Sequence, residues 1–267
     1  MLYGALLGDM IGSPYEFVGN PKRKDIDLFD STKWIRCTDD SFMTLAIAKV
    51  FTQIDKNSNE NIIKLNLIQS MQDIGRRYDA SYGIAFKSWL FNDNPQPYNS
   101  WGNGSAMRVS PIGWIYNSLE KTLEVAKWSA EISHNHKEGI KGAQAVAGAI
   151  YLARTGASKK DIKKYISKTF NYDLNKTCKK IRETYEFNES CQETVPEAIV
   201  AFLESINFDD AIRNAVSLGG DCDTLTCITG SIAEAFYKKV PSYMISECRK
   251  RLDSELLKIL DKFNEMY

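Results

Sequence analysis

Apolar residues in this chain recur at helical spacing almost from end to end, and the two-residue alternation of a half-buried strand is almost absent. Phe42, Leu45, Ala46, Ala48 and Lys49-Val50-Phe51 make a compact apolar helix directly after the polar start Thr38-Asp39-Asp40-Ser41. Segments 62–78, 119–132, 138–154, 159–169, 195–205, 208–217, 223–238 and 252–266 also read as helices. The stretch 139–153 is rich in Gly and Ala, which suits helices packed closely in a crowded interior. No Ser/Gly linker, composition shift or short-period repeat divides the chain, so one compact all-α domain over residues 1–267 is expected. A chain of 267 residues buries a sizeable core without needing a disulfide or metal to hold it together.

Charge excludes some functions. The 34 basic and 34 acidic residues cancel, so no global field favours nucleic acid or anionic lipid, and acidic ligands would have to be held by local groups. The six cysteines include no CxxC pair, and with two histidines a thiolate/imidazole zinc site is hard to assemble. They read as reduced cysteines filling core space. The apolar start Met1-Leu2-Tyr3-Gly4-Ala5-Leu6-Leu7-Gly8 lacks a basic region and is interrupted by Asp9, so it does not read as a signal peptide. No apolar run is long enough to span a bilayer, and a cytoplasmic protein is expected. No apolar surface pattern calls for a dimer, so a monomer is expected.

Three polar clusters stand out. Thr38-Asp39-Asp40 has the composition of a helix N-cap, and taken alone that explains it. Gly219-Gly220-Asp221-Cys222-Asp223-Thr224 repeats the same logic before another apolar helix, and two acids plus a hydroxyl exceed what a cap needs. If the two helix starts meet, four carboxylates and two Thr hydroxyls converge, and such like charges repel unless protonated or neutralised by cations. An all-oxygen cluster of that size selects two Mg²⁺ or Mn²⁺ ions over zinc. The third cluster, Trp101-Gly102-Asn103-Gly104-Ser105-Ala106-Met107-Arg108, combines glycines that admit a ligand with amides that open a helix and cradle phosphate; Asn-Gly is also an ordinary turn pair. Glu16 follows a glycine-rich turn that can aim its carboxylate inward, although an exposed Glu is commoner. His134 and His136, at i,i+2, do not face one way on a helix.

In order and spacing, Gly4-Ala5-Leu6-Leu7-Gly8-Asp9 to Glu16, Thr38-Asp39-Asp40-Ser41, Gly102-Asn103-Gly104-Ser105-Ala106-Met107-Arg108, Ser133-His134 and Gly220-Asp221-Cys222-Asp223-Thr224 resemble the ADP-ribosylglycohydrolase family. The resemblance runs from about residue 4 to 237. It implies an all-α, single-domain orthogonal helical bundle with two Mg²⁺ or Mn²⁺ ions at the floor of a cleft. On the matching positions, Thr38, Asp39, Asp40, Asp221, Asp223 and Thr224 would hold the ions. Gly102, Asn103, Gly104 and Ser105 would line the diphosphate and ribose site, with Met107 close behind and His134 near the ribose. Glu16 matches a glutamate near the metals and the distal ribose. Ser41 stands where Thr is frequent, and Cys222 lies between the paired acids; neither removes a ligand oxygen.

The expected activity is hydrolysis of the bond between ADP-ribose and a modified protein or small molecule, with an arginine linkage as first guess. Glu16 or Asp40 would serve as general base, and sequence does not choose between them. Trp101, Tyr98 and Tyr82 are candidates to stack on adenine. Two rivals share these residues: a two-metal phosphohydrolase acting on a nucleotide-like substrate, and a non-catalytic ADP-ribose binding module.

Overall fold

The computed structural model describes residues 1–17 and 22–267. Fifteen α-helices follow one another, and among the described residues there is no strand, only a single antiparallel bridge between Gly102 and Ser190. Helix α1 spans Tyr3–Gly12 and leads into a 3-10 turn at Ser13–Tyr15; α2 spans Asp39–Phe51, α3 Glu60–Arg77 and α4 Ile84–Leu90. Two short helices, α5 (Gly104–Met107) and α6 (Ser110–Ile115), precede α7 (Leu119–Glu131), α8 (Lys137–Arg154) and α9 (Lys159–Phe170). The remainder are α10 (Cys178–Thr184), α11 (Cys191–Glu204), α12 (Phe208–Leu218), α13 (Cys222–Tyr237), α14 (Ser242–Lys250) and α15 (Ser254–Met266). The sequence is thus all-helical, as its periodicity dictates.

Helix α13 is the axis. Every residue from Cys222 to Ala235 is buried, so it has no wet face. Its closest neighbour is α1, likewise buried from Gly4 to Gly12. The two meet backbone to backbone along a stripe of glycines spaced four apart, one helical turn each. A Cβ built on Gly4 would lie 2.1 Å from the Gly230 carbonyl oxygen, one on Gly8 2.2 Å from that of Thr226, and one on Gly12 2.5 Å from that of Cys222. No side chain can yield at such contacts, because the opposing atoms are main chain. The stripe therefore fixes how Asp9 and the turn carrying Glu16 sit against the start of α13.

Most expected helices agree with the observed ends to within a residue or two. The exception is α11, expected from 195: the helix begins at Cys191 and carries Pro196 inside it. The local reason is a cap further upstream, where the Ser190 side chain accepts from the Glu193 amide. All six cysteines are free, five of them buried, which matches their reading as core filler. No helix among the described residues is long and apolar enough to cross a membrane.

Candidate active site

The two acidic helix starts meet. Thr38 and Asp221 occupy the N-cap positions of α2 and α13, yet neither side chain caps its own helix. For α2 the capping is done from elsewhere. Asp9, on α1 and fully buried, accepts from the Ser41 amide at 3.1 Å, from the Thr38 amide at 2.9 Å and from the Thr38 hydroxyl at 2.6 Å, and the Ser41 hydroxyl donates to it as well. With the orphan amide of α2 satisfied by Asp9, the carboxylates of Asp39 and Asp40 are released from any capping duty. Asp9 interrupts an apolar run and ends the first segment of the family resemblance, but sequence alone assigns it no role in the site; its signal is a carboxylate set within a four-residue glycine repeat.

At the start of α13, Gly219 and Gly220 both have positive φ, 82° and 73°, a region that favours glycine. A Cβ on Gly220 would also lie 2.2 Å from the Tyr185 ring. This turn delivers Asp221, Asp223 and Thr224 to the acids of α2. The Thr38 hydroxyl lies 3.3 Å from Asp223 Oδ2, and the Thr224 hydroxyl donates to Asp40 Oδ2 at 3.2 Å. Candidate ligand oxygens of Asp9, Asp40 and Asp223 lie within 4.8 Å of one another, as do those of Glu16, Asp221 and Asp223. Asp223 belongs to both triplets; Asp39 belongs to neither but lines the same cavity.

The electrostatics describe a cluster short of positive charge. Burial, followed by repulsion from Asp223 and Asp9, raises Asp39 and Asp40 well above the usual carboxylate range. Burial and then Asp221 do the same to Asp223. Asp221 is pushed up to about 7, chiefly by burial, although hydrogen bonds with Asp223 and Asn103 pull it back. Glu16 is pushed up to about 8 by burial and by Asp223. Asp40 Oδ1 is buried with no hydrogen-bond partner. An orphaned carboxylate oxygen facing other carboxylates fits hard divalent cations.

These acids floor a cavity of about 500 Å³, whose lining includes Glu16, Asp39, Asp40, Tyr82, Phe86, Tyr98, Gly102, Asn103, Gly104, Met107, Arg108, His134, Asp221, Asp223 and Thr224. The bridge to Ser190 and the bond from the Asn103 amide to the Glu189 carbonyl (2.7 Å) hold the 102–103 loop in place. The Asn103 side chain is already committed, donating to Asp221 at 2.7 Å and to Thr194 at 3.0 Å. Ser105 lies outside the lining: it is fully buried and donates to the Gly139 carbonyl at 2.7 Å. Met107 backs the floor, with its sulfur 3.8 Å from the Thr224 hydroxyl. His134 lines the cavity, whereas His136 caps α8 by accepting from the Glu138 amide. Of the three aromatic candidates, Tyr82 and Tyr98 line the cavity and Trp101 does not.

Two acidic helix starts that meet at the floor of one cavity in an all-helical domain mark a candidate hydrolase site, and comparison places the chain in a hydrolase family. The ADP-ribosylglycohydrolase family profile matches residues 1–267, and the chain belongs to that family. Human ADP-ribosylhydrolase ARH3 is 25% identical, with 96% of this chain and 90% of the relative covered. The ADP-ribosylarginine hydrolase Tri1 of Pseudomonas putida is 24% identical over 88% of this chain and 69% of the relative. A solved structure described as an ADP-ribosylglycohydrolase-related protein complex superposes with a TM-score of 0.74 at 20% identity, covering 99% of this chain and 95% of the other. The chain is an ADP-ribosyl hydrolase, an enzyme acting on ADP-ribosylated substrates.

Proposed function

We propose that this enzyme releases intact ADP-ribose from an arginine side chain, using two Mg²⁺ or Mn²⁺ ions held by Thr38, Asp39, Asp40, Asp221, Asp223 and Thr224. The observation that carries the metal requirement is Asp223, shared by two triplets of converging carboxylates and raised well above the usual carboxylate range by burial and then by Asp221. The arginine linkage is supported by the relative named as an ADP-ribosylarginine hydrolase. When bound, the ions neutralise the acids and supply Lewis-acid polarisation at the distal ribose.

The chain's own residues then divide the work. Asp40, almost fully enclosed, offers its partnerless Oδ1 as a ligand atom. Glu16 sits half-buried at the cavity edge and is placed to take a proton from the attacking water once neighbouring charges are neutralised. Its carboxylate also stabilises the oxocarbenium character that develops at the anomeric carbon. Gly102 and Gly104 let the ligand approach the backbone, and Tyr82 and Tyr98 offer ring faces to the adenine. Asn103 positions Asp221 through its hydrogen bond.

The test is incubation of the protein with arginine- and serine-linked ADP-ribosylated substrates in Mg²⁺, in Mn²⁺ and in chelator. Free ADP-ribose from the arginine substrate, lost in chelator, is expected. Release from serine alone replaces the linkage. Phosphate release in place of ADP-ribose replaces glycohydrolysis with phosphohydrolysis, and tight binding without turnover leaves only a binding module.

A further inference from the structure

The cavity wall away from the acids holds a charge that the reaction does not use. Arg108 is the largest fully buried side chain among the described residues. No carboxylate pairs with it there: Nη2 donates to the Ser129 carbonyl at 3.0 Å and to the Ser133 hydroxyl at 2.8 Å, and Nε and Nη1 have no partner. Its guanidinium carbon lies 5.6 Å from the centre of the Phe86 ring. A buried cation whose one side-chain hydrogen bond goes to a serine calls for an explanation at that serine.

Ser133 is also fully buried, and its hydroxyl carries one hydrogen and two lone pairs. A guanidinium only donates, so the contact with Arg108 takes a lone pair. The other partner of the hydroxyl is His134 Nδ1 at 2.8 Å. If Nδ1 carried a proton, Ser133 would accept twice and its own hydrogen would be left unsatisfied in a dry interior. The hydrogen therefore goes to Nδ1, and the imidazole carries its proton on Nε2. Burial, and then the Arg108 charge, both lower the ring's proton affinity and keep it neutral. Nε2 is the nitrogen that faces the glycine loop: it lies 3.0 Å from where a Cβ on Gly104 would stand and 3.6 Å from one on Gly102.

We propose that Arg108 is a positioning residue which, acting through Ser133, holds His134 as the Nε2-protonated tautomer, a fixed donor beside Gly102 and Gly104 for an acceptor oxygen of the diphosphate-ribose. The identity of that acceptor rests on ADP-ribose occupying the cavity; the tautomer does not. Tyr98 and Phe86, with ring centres 5.5 Å and 6.1 Å from the imidazole, brace it from the sides.

Protein made with isotope-labelled histidine shows two imidazoles by NMR, because the sequence has only His134 and His136, and His136→Gln assigns them. Ligand-free protein is expected to show His134 protonated on Nε2 with Nδ1 bare. Ser133→Ala is expected to turn this into a mixture of tautomers, and Ser133→Thr, which keeps the hydroxyl, to restore the original pattern. Arg108→Met should give the same mixture, and Ser133→Ala carries the test even where Arg108→Met does not fold. A proton on Nδ1 in the unaltered protein, or an unchanged His134 pattern in Ser133→Ala, overturns the relay. Added ADP-ribose with Mg²⁺ should shift the Nε2 signal and bind about tenfold more weakly to Ser133→Ala, with KM rising more than kcat falls. An Nε2-protonated His134 that ignores ADP-ribose overturns the assigned acceptor and the occupant of the cavity, and leaves the relay intact.

Discussion

The two walls of the cavity solve opposite problems. On one side, Asp39, Asp40, Asp221, Asp223 and Glu16 crowd together, and their hydrogen bonds run to hydroxyls, to the Thr224 amide, to the Asn103 side chain and to each other. On the proposed two-metal reading, that wall is completed by positive charge from outside. On the other side, Arg108, Ser133 and His134 form a chain of donors and acceptors flanked by Phe86 and Tyr98, set before any ligand enters. One wall is arranged to be neutralised and the other to stay as it is. The proposed function assigns chemistry to the first and ligand placement to the second, so substitutions on the two sides should separate in kcat and KM.

The largest effect is expected at the acid shared by both triplets. Asp223→Ala should lower turnover by a factor on the order of 10³. Thermal melts should show the metal-free variant no less stable than the unaltered protein, while the stabilisation given by Mg²⁺ or Mn²⁺ disappears; a variant that keeps near-normal turnover breaks the two-metal reading. Glu16→Gln comes next, with kcat lowered by roughly 10² to 10³ and KM little changed. Loss confined to KM would move Glu16 from proton transfer to ribose placement. On the other wall, Tyr82→Ala should raise KM about tenfold through lost stacking and leave kcat almost untouched.

The smallest effect is one of pH on the metal-free protein. Glu16 and Asp221 are raised to about 8 and about 7 in the fold, above the ordinary carboxylate range of the unfolded chain near 4. Between those limits the folded state binds more protons than the unfolded one, so stability is fully present below about pH 4 as far as these groups are concerned and is lost as pH rises through 7 to 8. Melting midpoints should fall from pH 5 to pH 8 without metal, and the fall should flatten with Mg²⁺. A midpoint that rises over that range in the absence of metal would mean the acids are already neutralised within the fold.

Long amphipathic helices such as Glu60–Arg77 and Lys159–Phe170 are legible in sequence because their periodicity is set by one wet and one dry face. Helix α1 is not, since it is buried all round and so carries no period, and the short α4, α5, α6, α10 and α14 offer too few turns to show one. In the site, the acids at 38–40 and 221–224 announced themselves by exceeding what a cap requires. Their meeting was invisible, because it depends on main-chain contact between α1 and α13 rather than on any local pattern. Asp9 and Ser133 lie in the motifs that carry the resemblance, yet their roles were hidden for a related reason: each acts only through the residue it holds, and a sequence displays neither partner nor distance. Ser105 shows the converse, a residue inside a ligand-loop motif whose side chain is spent on the Gly139 carbonyl.

The glycine stripe also imposes an order of events. Gly4 rests on Gly230, so the contact that aligns the floor of the cavity joins positions more than two hundred residues apart in the chain. Closing so long a loop is slow, and nothing before α13 can stand in for it. A chain emerging from synthesis therefore carries α1, which the finished fold buries from Gly4 to Gly12, without its α13 partner until most of the sequence is made. The catalytic floor is among the last parts of the molecule to exist, and the segment that waits longest for it is the one most prone to sticking elsewhere in the meantime.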